Sequence, residues 1–265
     1  MTDLVTVEVD LGVADVRLNR PDKYNALSPE MFKAIIEAGE RLAEAREVRA
    51  VVLSGNGRGF CAGLDMMSMQ GLGSPSRSSG EGLLSRGERP ENFAQRPAYV
   101  WKRLPVPTIA ALHGVAYGGG CQIALGADIR FAAPDAKISV MEIKWGLIPD
   151  MSITQTLRDL VPLDVAKELT FTGRILNGEQ ALQAGLVTHV ADDPRAAAME
   201  LAREIAGKSP DAVRAGKELF ETSWHADERT GLALESSLQT ALIGSPNQVE
   251  AVQANFEKRT PKFSD

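Results

Sequence analysis

GRGFCAGLD, residues 57–65, combines three glycines with apolar residues, which is unusual for a surface loop. A second segment, HGVAYGGGCQIALGAD at 113–128, has the same character, and its glycine triplet leads into helix-like sequence. Backbone N–H groups at a helix start lack intrahelical partners and carry the positive end of the helix dipole. Such a turn suits a phosphate or an oxyanion. We therefore predict that both segments direct backbone N–H groups at one oxygen atom of a substrate.

A purely structural explanation of the glycines stays open at this point. Three consecutive glycines also allow a helix to pack closely on a strand, without any ligand. Dinucleotide binding is disfavoured, because neither segment has the G-x-G-x-x-G pattern after a strand with an acidic residue further on.

Composition and charge narrow the function classes. Of the 265 residues, 44% are hydrophobic and 24% are charged, as in ordinary globular proteins. The net charge of −6 argues against general nucleic-acid binding but allows a local basic patch for a phosphorylated small molecule. Cys61 and Cys121 lie among glycines and apolar residues, which favours buried reduced thiols over a disulfide. No cysteine–histidine cluster has zinc-ligand spacing, so we expect no metal site.

Targeting signals are not apparent in the sequence. The beginning of the chain lacks the basic-then-apolar pattern of a signal peptide. No run approaches the ~18 apolar residues that are needed to span a bilayer. We therefore expect a cytoplasmic protein without a membrane partner.

The beginning of the chain follows a strand, strand, helix, strand pattern. Residues 4–10 and 13–19 alternate apolar and polar side chains, as strands with one buried face do. Ser28 followed by Pro29 is typical of a helix N-terminus, and an amphipathic pattern follows. Residues 49–55 form an apolar run that is typical of a buried strand.

The remaining sequence changes from mixed to helical character. Residues 66–92 are rich in glycine, serine and charge, and we interpret them as a long mobile loop or a partly formed helix. The patterns predict one helix and three strands in turn, at 93–104, 107–114, 128–133 and 136–140. After about residue 151, successive helices are predicted. The sequence thus indicates an α/β first part and a helical last part.

Four motifs together resemble one family. They are NRPDKYNAL (19–27), GRGFCAGLD (57–65), PTIAALHGVAYGGGC (107–121) and MEIKWGLIPD (141–150). Their order and approximate spacing resemble the crotonase superfamily of enoyl-CoA hydratases, isomerases and their relatives. The C-terminal NFEKRTPKF is also similar to the end of such enzymes. The resemblance covers nearly the whole chain, and four motifs in order make it specific.

The resemblance implies a fold and an assembly. The fold is an α/β, ClpP/crotonase-like spiral of β-β-α turns over residues 1–200. A helical C-terminal oligomerisation region is implied over residues 201–265. The expected assembly is a homotrimer or a hexamer, with the C-terminal helices between subunits.

The resemblance also assigns the two backbone donors. The family's oxyanion donors match the N–H groups of Leu64 and Gly119, which would polarise the thioester carbonyl of an acyl-CoA and stabilise its enolate. The apolar neighbours would exclude water and so strengthen both donors. Coenzyme A is part of the substrate in this scheme, and no separate cofactor is implied.

Substrate-binding residues are implied by the same match. Ala26 and Met66 match backbone positions near the adenine of CoA. Lys258 matches a lysine that reaches a CoA phosphate from a neighbouring subunit, although a charged tail helix explains it equally well. The residues that flank the two donors complete the set: Ala62, Gly63, Asp65 and Gly118.

The carboxylates decide which reaction follows from an enolate. Family hydratases use two glutamates, one two residues after the glycine triplet and one downstream. Glu142 matches the second, but Gln122 stands at the position of the first. A glutamine can hold a water molecule, yet it cannot exchange a proton at neutral pH. A two-glutamate hydration mechanism is therefore in doubt, and the alternative role for Glu142 is a solvated loop carboxylate.

Asp150 offers a compensating acid. Dienoyl-CoA isomerases of the family carry an aspartate eight residues after the glutamate, which is the spacing of Glu142 and Asp150. The match is incomplete, because those isomerases have an aspartate where this chain has Gln122. Asp150 could also serve simply as a helix N-cap, since it precedes a helix-like segment.

Several other residues receive structural interpretations. Asp65 and Asp128 are more typical of turns or ion pairs than of catalysis, and we expect His113 to make a core hydrogen bond. The large apolar side chains near the motifs could line an acyl pocket or simply pack: Met66, Met67, Met69, Trp101 and Trp145.

We therefore predict an acyl-CoA enzyme that isomerises a double bond with Glu142 and Asp150. Hydration with Glu142, and Gln122 only positioning water, is the second hypothesis. A dehalogenase, which would use Asp150 as a nucleophile, is disfavoured by the presence of Glu142. A CoA-binding scaffold without catalysis stays open.

Overall fold

The computed structural model describes residues 3–65 and 83–265. Its strands are β1 (Val5–Asp10), β2 (Val13–Leu18), β3 (Ala50–Gly55), β4 (Thr108–Leu112), β5 (Val115–Tyr117), β6 (Ile129–Ala132), β7 (Lys137–Ser139) and β8 (His189–Val190). Six strands form one sheet in the order β1-β2-β3-β4-β6-β8. The β1–β2 pair is antiparallel and the other pairs are parallel, while β5 and β7 pair separately as a parallel ribbon.

Helices fill the connections and the last part of the chain. They are α1 (Pro29–Glu44), α2 (Arg96–Arg103), α3 (Gly119–Leu125), α4 (Ile153–Thr156), α5 (Leu163–Thr172), α6 (Gly178–Ala184), α7 (Pro194–Ala206), α8 (Pro210–Ser223), α9 (Glu228–Leu242) and α10 (Pro246–Glu257). Two short 3-10 helices lie at Pro21–Lys23 and Glu142–Trp145. Within the described residues, no helix has the length and hydrophobicity to cross a bilayer.

The expected α/β opening unit is confirmed. Strands β1 and β2 form a hairpin around Leu11 and Gly12, both of which have positive φ. The Ser28 hydroxyl accepts the Met31 N–H, and Pro29 is the first residue of α1. The cap and the proline therefore start this helix at the expected residue.

Both faces of the main sheet are covered by apolar side chains. Val51 and Leu53 of β3 pack in the larger core, which also contains the buried face of α1. On the opposite face, helix α7 packs its small side chains closely against the sheet. These are Ala198, Ala202 and Ala206. The division expected at residue 200 falls within α7, which belongs to the packing of this sheet.

Some short elements differ from the sequence expectations. Strands β5 and β8 were not expected, because three and two residues are too few to show an alternating pattern. Residues 154–161 were expected to be helical, but α4 ends at Thr156 and turns follow. The loop or helix expected at 66–92 lies for the most part outside the described residues.

Candidate active site

The first glycine segment runs between two other stretches of backbone. The Cys61 N–H donates to the Val115 carbonyl at 2.9 Å, and the Tyr117 N–H donates to the Cys61 carbonyl at 3.0 Å. On the other side, the Leu27 N–H donates to the Gly63 carbonyl at 2.8 Å. These bonds hold the segment in an extended form beside β5.

A single buried side chain anchors the same segment. Asn25 is fully buried, and its Nδ2 lies within 3.0 Å of the carbonyl oxygens of Asn56, Gly59 and Phe60. Its Oδ1 accepts the Arg20 N–H at 2.8 Å. Sequence reasoning missed this role, although asparagine is a residue type that tolerates the left-handed φ of 55° found here.

The backbone nitrogens of Leu64 and Gly119 lie near each other beside this anchored segment. Neither donates to any acceptor within the described residues. Gly63 directly precedes Leu64, and a Cβ added to Gly63 would lie 3.6 Å from the Gly119 nitrogen. Gly119 is also the first residue of the buried helix α3. Two neighbouring donors of this kind can bind one oxygen atom that develops negative charge.

Glu142 lies at the start of the same helix. Gly118, the N-cap of α3, has a positive φ of 52°. A Cβ added to Gly118 would lie 3.2 Å from the Glu142 Oε1. The missing side chain therefore leaves space for the carboxylate directly beside Gly118.

The Glu142 carboxylate has one bonded oxygen and one free oxygen. Its Oε1 accepts the Gln122 Nε2–H at 2.6 Å. Its Oε2 is buried and has no partner within the described part of the chain. Burial raises the pKa of Glu142, and the negative charge of Asp150 raises it further. Glu142 is therefore not a solvated loop carboxylate, and a free oxygen with a raised pKa suits proton transfer.

Asp150 does not cap a helix. Helix α4 begins at Ile153, its N-cap is Ser152, and no side chain bonds to its first turn. The interpretation of Asp150 as a cap is therefore wrong. Although the residue is exposed, nearby protein atoms desolvate its carboxyl and raise its pKa. Asp150 is thus a carboxyl without a capping role whose charge acts on Glu142.

Gln122 is fully buried near the start of α3. Its Nε2 donates to Glu142, and its Oε1 accepts the Met151 N–H at 2.8 Å. The amide oxygen and one amide hydrogen are therefore used by protein groups. The role of Gln122 as a water holder stays a prediction. Only the second hydrogen of its amide group would be available to bind a water molecule.

Ala26 and Asp65 share one cationic partner. The Arg20 Nη1 donates to the Ala26 carbonyl at 3.1 Å and lies 2.6 Å from the Asp65 Oδ2. The expected ion pair of Asp65 is thereby confirmed, and Arg20 was not foreseen. The substrate contacts of Ala26, Ala62 and Asp65 stay predictions. Met66 lies outside the described residues, as do the other two methionines of that segment.

Three further expectations concern residues outside this cluster. Asp128 pairs with Lys217 at 2.8 Å, as an ion-pair role predicts. The His113 Nε2 lies 2.9 Å from the Gly57 carbonyl, in a half-buried position rather than in the core. Lys258 is exposed at the end of α10, and its contact with CoA stays a prediction.

The two tryptophans near the motifs have different environments. Trp101 is fully buried in the core, where it packs and does not line an open pocket. Trp145 is 47% exposed and ends the 3-10 helix that begins at Glu142. Of these two, Trp145 is the exposed one and lies in the same short helix as Glu142, and its role in an acyl pocket stays a prediction.

Both cysteines are buried, as the sequence indicates. Burial raises the pKa of Cys61 and of Cys121 to about 12. A thiol in this state is a poor nucleophile at neutral pH. Neither cysteine is therefore a candidate nucleophile for this site.

The chain is similar to known proteins over nearly its whole length. The family model for enoyl-CoA hydratase/isomerase matches residues 8–265. The chain is 35% identical to mouse enoyl-CoA hydratase domain-containing protein 2, mitochondrial, over 95% of this chain and 84% of that protein. It is 33% identical to mouse methylglutaconyl-CoA hydratase, mitochondrial, over 97% of this chain and 81% of that protein. A crystal structure of enoyl-CoA hydratase from Bacillus anthracis has a TM-score of 0.88, with 31% identity and 98% coverage of both chains.

Proposed function

Because the chain belongs to the enoyl-CoA hydratase/isomerase family and has its crotonase fold, we propose that it binds an acyl-CoA and stabilises the thioester enolate. The free N–H groups of Leu64 and Gly119 support this role, since the enolate oxygen needs two donors. Glu142 would take part in the proton transfer that forms or consumes this enolate. No cofactor is required beyond the coenzyme A of the substrate.

We further propose that the reaction is a double-bond isomerisation of a dienoyl-CoA. One of the two carboxyl groups, Glu142 or Asp150, removes a proton next to the thioester, and the other delivers a proton at the far end of the conjugated enolate. The double bonds shift, and no water is consumed. The observation that carries this proposal is the Oε2 of Glu142, which has no hydrogen-bond partner among the described residues. The negative charge of Asp150 also raises the pKa of this carboxyl group.

Hydration of a 2-enoyl-CoA is the second candidate. The names of the similar proteins favour it, because they include the enoyl-CoA hydratase from Bacillus anthracis and the mouse methylglutaconyl-CoA hydratase. The free oxygen of Glu142 could then hold and activate the attacking water. Gln122 would contribute at most one N–H to that water.

Asp150→Asn separates the two reactions. The purified protein is assayed spectrophotometrically with a 2-enoyl-CoA and with a 3,5-dienoyl-CoA. We expect conversion of the dienoyl compound, with kcat about 10²- to 10⁴-fold lower in the variant because one proton-transfer group is lost. Hydration of the enoyl compound that survives the substitution would select the second candidate. Tight acyl-CoA binding without turnover of either compound would favour a scaffold.

We also propose that the protein assembles as a homotrimer or a hexamer. Helix α9 supports this, because none of its residues is buried within the single chain. Leu232 and Ile243, on and just after α9, and Phe256 on α10 are exposed apolar side chains that a neighbouring subunit would cover. Sedimentation equilibrium should give three or six times the 28.5 kDa chain mass, and a monomer mass would contradict the proposal.

A further inference from the structure

Gln122 connects three separate parts of the candidate site. It lies on α3, the helix that begins with the donor Gly119. Its Nε2 reaches Glu142 at 2.6 Å, and its Oε1 reaches the backbone N–H of Met151 at 2.8 Å. Met151 directly follows Asp150. One buried amide therefore joins the helix, the glutamate and the loop that carries the aspartate.

The orientation of this amide follows from its partners. The Met151 N–H can only donate, so it must face the amide oxygen of Gln122. The ionised Glu142 carboxylate can only accept, so it must face the amide N–H. No other orientation satisfies both contacts. A carboxylate in place of Gln122 would satisfy the Met151 N–H but would lack a hydrogen for Glu142.

The contact also selects which oxygen of Glu142 is available. With Oε1 held by Gln122, the Oε2 is left without a partner among the described residues. The loop from 146 to 150 is exposed or half-buried, and it is anchored at its far end by the Met151 N–H bond to Gln122. Loss of the amide would remove the side-chain hydrogen bond to the carboxylate and the anchor at this end of the loop.

We propose that Gln122 is a positioning residue that sets Glu142 and the Asp150 loop in one fixed arrangement. This inference rests on the proposed function, because it assigns Glu142 the proton transfer. The donated hydrogen bond also lowers the pKa of Glu142, against the effect of burial and of the nearby Asp150 charge. Among the described residues, the Cys121 thiol also senses this charge, since Glu142 raises its pKa.

The test compares Gln122→Met and Gln122→Glu with a control, Gln183→Met, on the exposed face of α6. Methionine keeps the volume and removes both hydrogen bonds. We expect kcat of Gln122→Met to fall about 10- to 100-fold with a small change in KM, since a hydrogen bond to a charged group is lost. The acid limb of the kcat/KM profile should move up by about one pH unit.

The conservative variant provides a rescue that a merely structural role would not give. In Gln122→Glu, two carboxyl groups would share one proton, and the protonated one would donate as the amide does. We expect activity to recover as the pH falls below the value at which that proton is lost. An unchanged profile in Gln122→Met, or no low-pH recovery in Gln122→Glu, would overturn the inference.

A double-mutant cycle in urea separates this inference from the proposed function. Gln122→Met is combined with Glu142→Met, which unlike Glu142→Gln leaves no acceptor for the Gln122 N–H, and unfolding is measured at pH values from 4.5 to 8. We expect a coupling of about tenfold in the unfolding equilibrium at high pH, where Glu142 is ionised. An inactive protein with this coupling would refute only the proposed function, whereas an absent coupling would refute the role of Gln122.

Discussion

Glu142→Gln should abolish most of the activity while leaving the fold intact. The substitution keeps the shape of the side chain and an acceptor for the Gln122 N–H, but it removes the group that exchanges a proton. We expect kcat to fall about 10²- to 10⁴-fold for whichever acyl-CoA the wild-type protein converts. Acyl-CoA binding, measured by calorimetry, should change little, because the backbone donors of Leu64 and Gly119 are retained.

Stability gives the control for this variant. Burial raises the pKa of Glu142 in the folded protein above its ordinary value of 4.5. The folded state therefore holds the proton more tightly than the unfolded state, and ionisation above that raised pKa costs stability. Glu142→Gln removes this cost, so its Tm should exceed that of the wild type at neutral pH. The difference should shrink as the pH falls through 4.5 and disappear well below that value, where both states are protonated.

Two results would contradict this account of Glu142. Unchanged kcat in Glu142→Gln would remove it from proton transfer and leave Asp150 as the only candidate acid of the pair. A lower Tm at neutral pH would mean that the ionised carboxylate stabilises the fold, contrary to its burial and its free Oε2.

The local features of the site could be predicted because they depend on neighbours in sequence. Ser28 and Pro29 start α1, and the glycine triplet starts α3, as their residue types indicate. The pair of donors could be named from motifs that resemble a known family. The structure brings Leu64 and Gly119 together because the first glycine segment pairs with β5, a three-residue strand without a detectable pattern.

The contacts that connect the two acids could not be predicted. The Gln122 amide meets a backbone N–H 29 residues away, and no composition or period encodes that contact. The alternative role of Asp150 as a helix cap is wrong for a similar reason. An aspartate before a polar, helix-like segment is a reasonable N-cap, but Ser152 adopts a left-handed conformation and the helix starts one residue later, at Ile153. The start of this helix depends on the left-handed backbone of Ser152, which the sequence pattern does not indicate.

Gly63→Ala should test whether the two donors act together. Gly63 has a φ of +83°, and an added Cβ would lie 2.6 Å from the Tyr117 carbonyl oxygen. This oxygen belongs to β5, which leads directly into Gly118 and Gly119. The overlap is with backbone and not with a mobile side chain, so the strand must move away from the Leu64 segment. The distance between the two N–H groups would then increase.

The expected result is a loss of catalysis larger than the loss of stability would suggest. Removing one donor of an oxyanion site costs about 10²–10³ in kcat, and overpacking destabilises by roughly 1–3 kcal/mol. Gly244→Ala is the matched control, because its φ is +79° and nothing lies within 4 Å of the added Cβ. It carries the left-handed strain of about 1–2 kcal/mol without the overlap. Both variants are assayed under conditions where they stay folded. The comparison then separates the effect of backbone strain from the effect of moving β5 away from the Leu64 segment. Equal kcat values in Gly63→Ala and Gly244→Ala would mean that one donor is sufficient. A loss of kcat in Gly63→Ala alone would mean that the enolate oxygen needs Leu64 and Gly119 at their present separation.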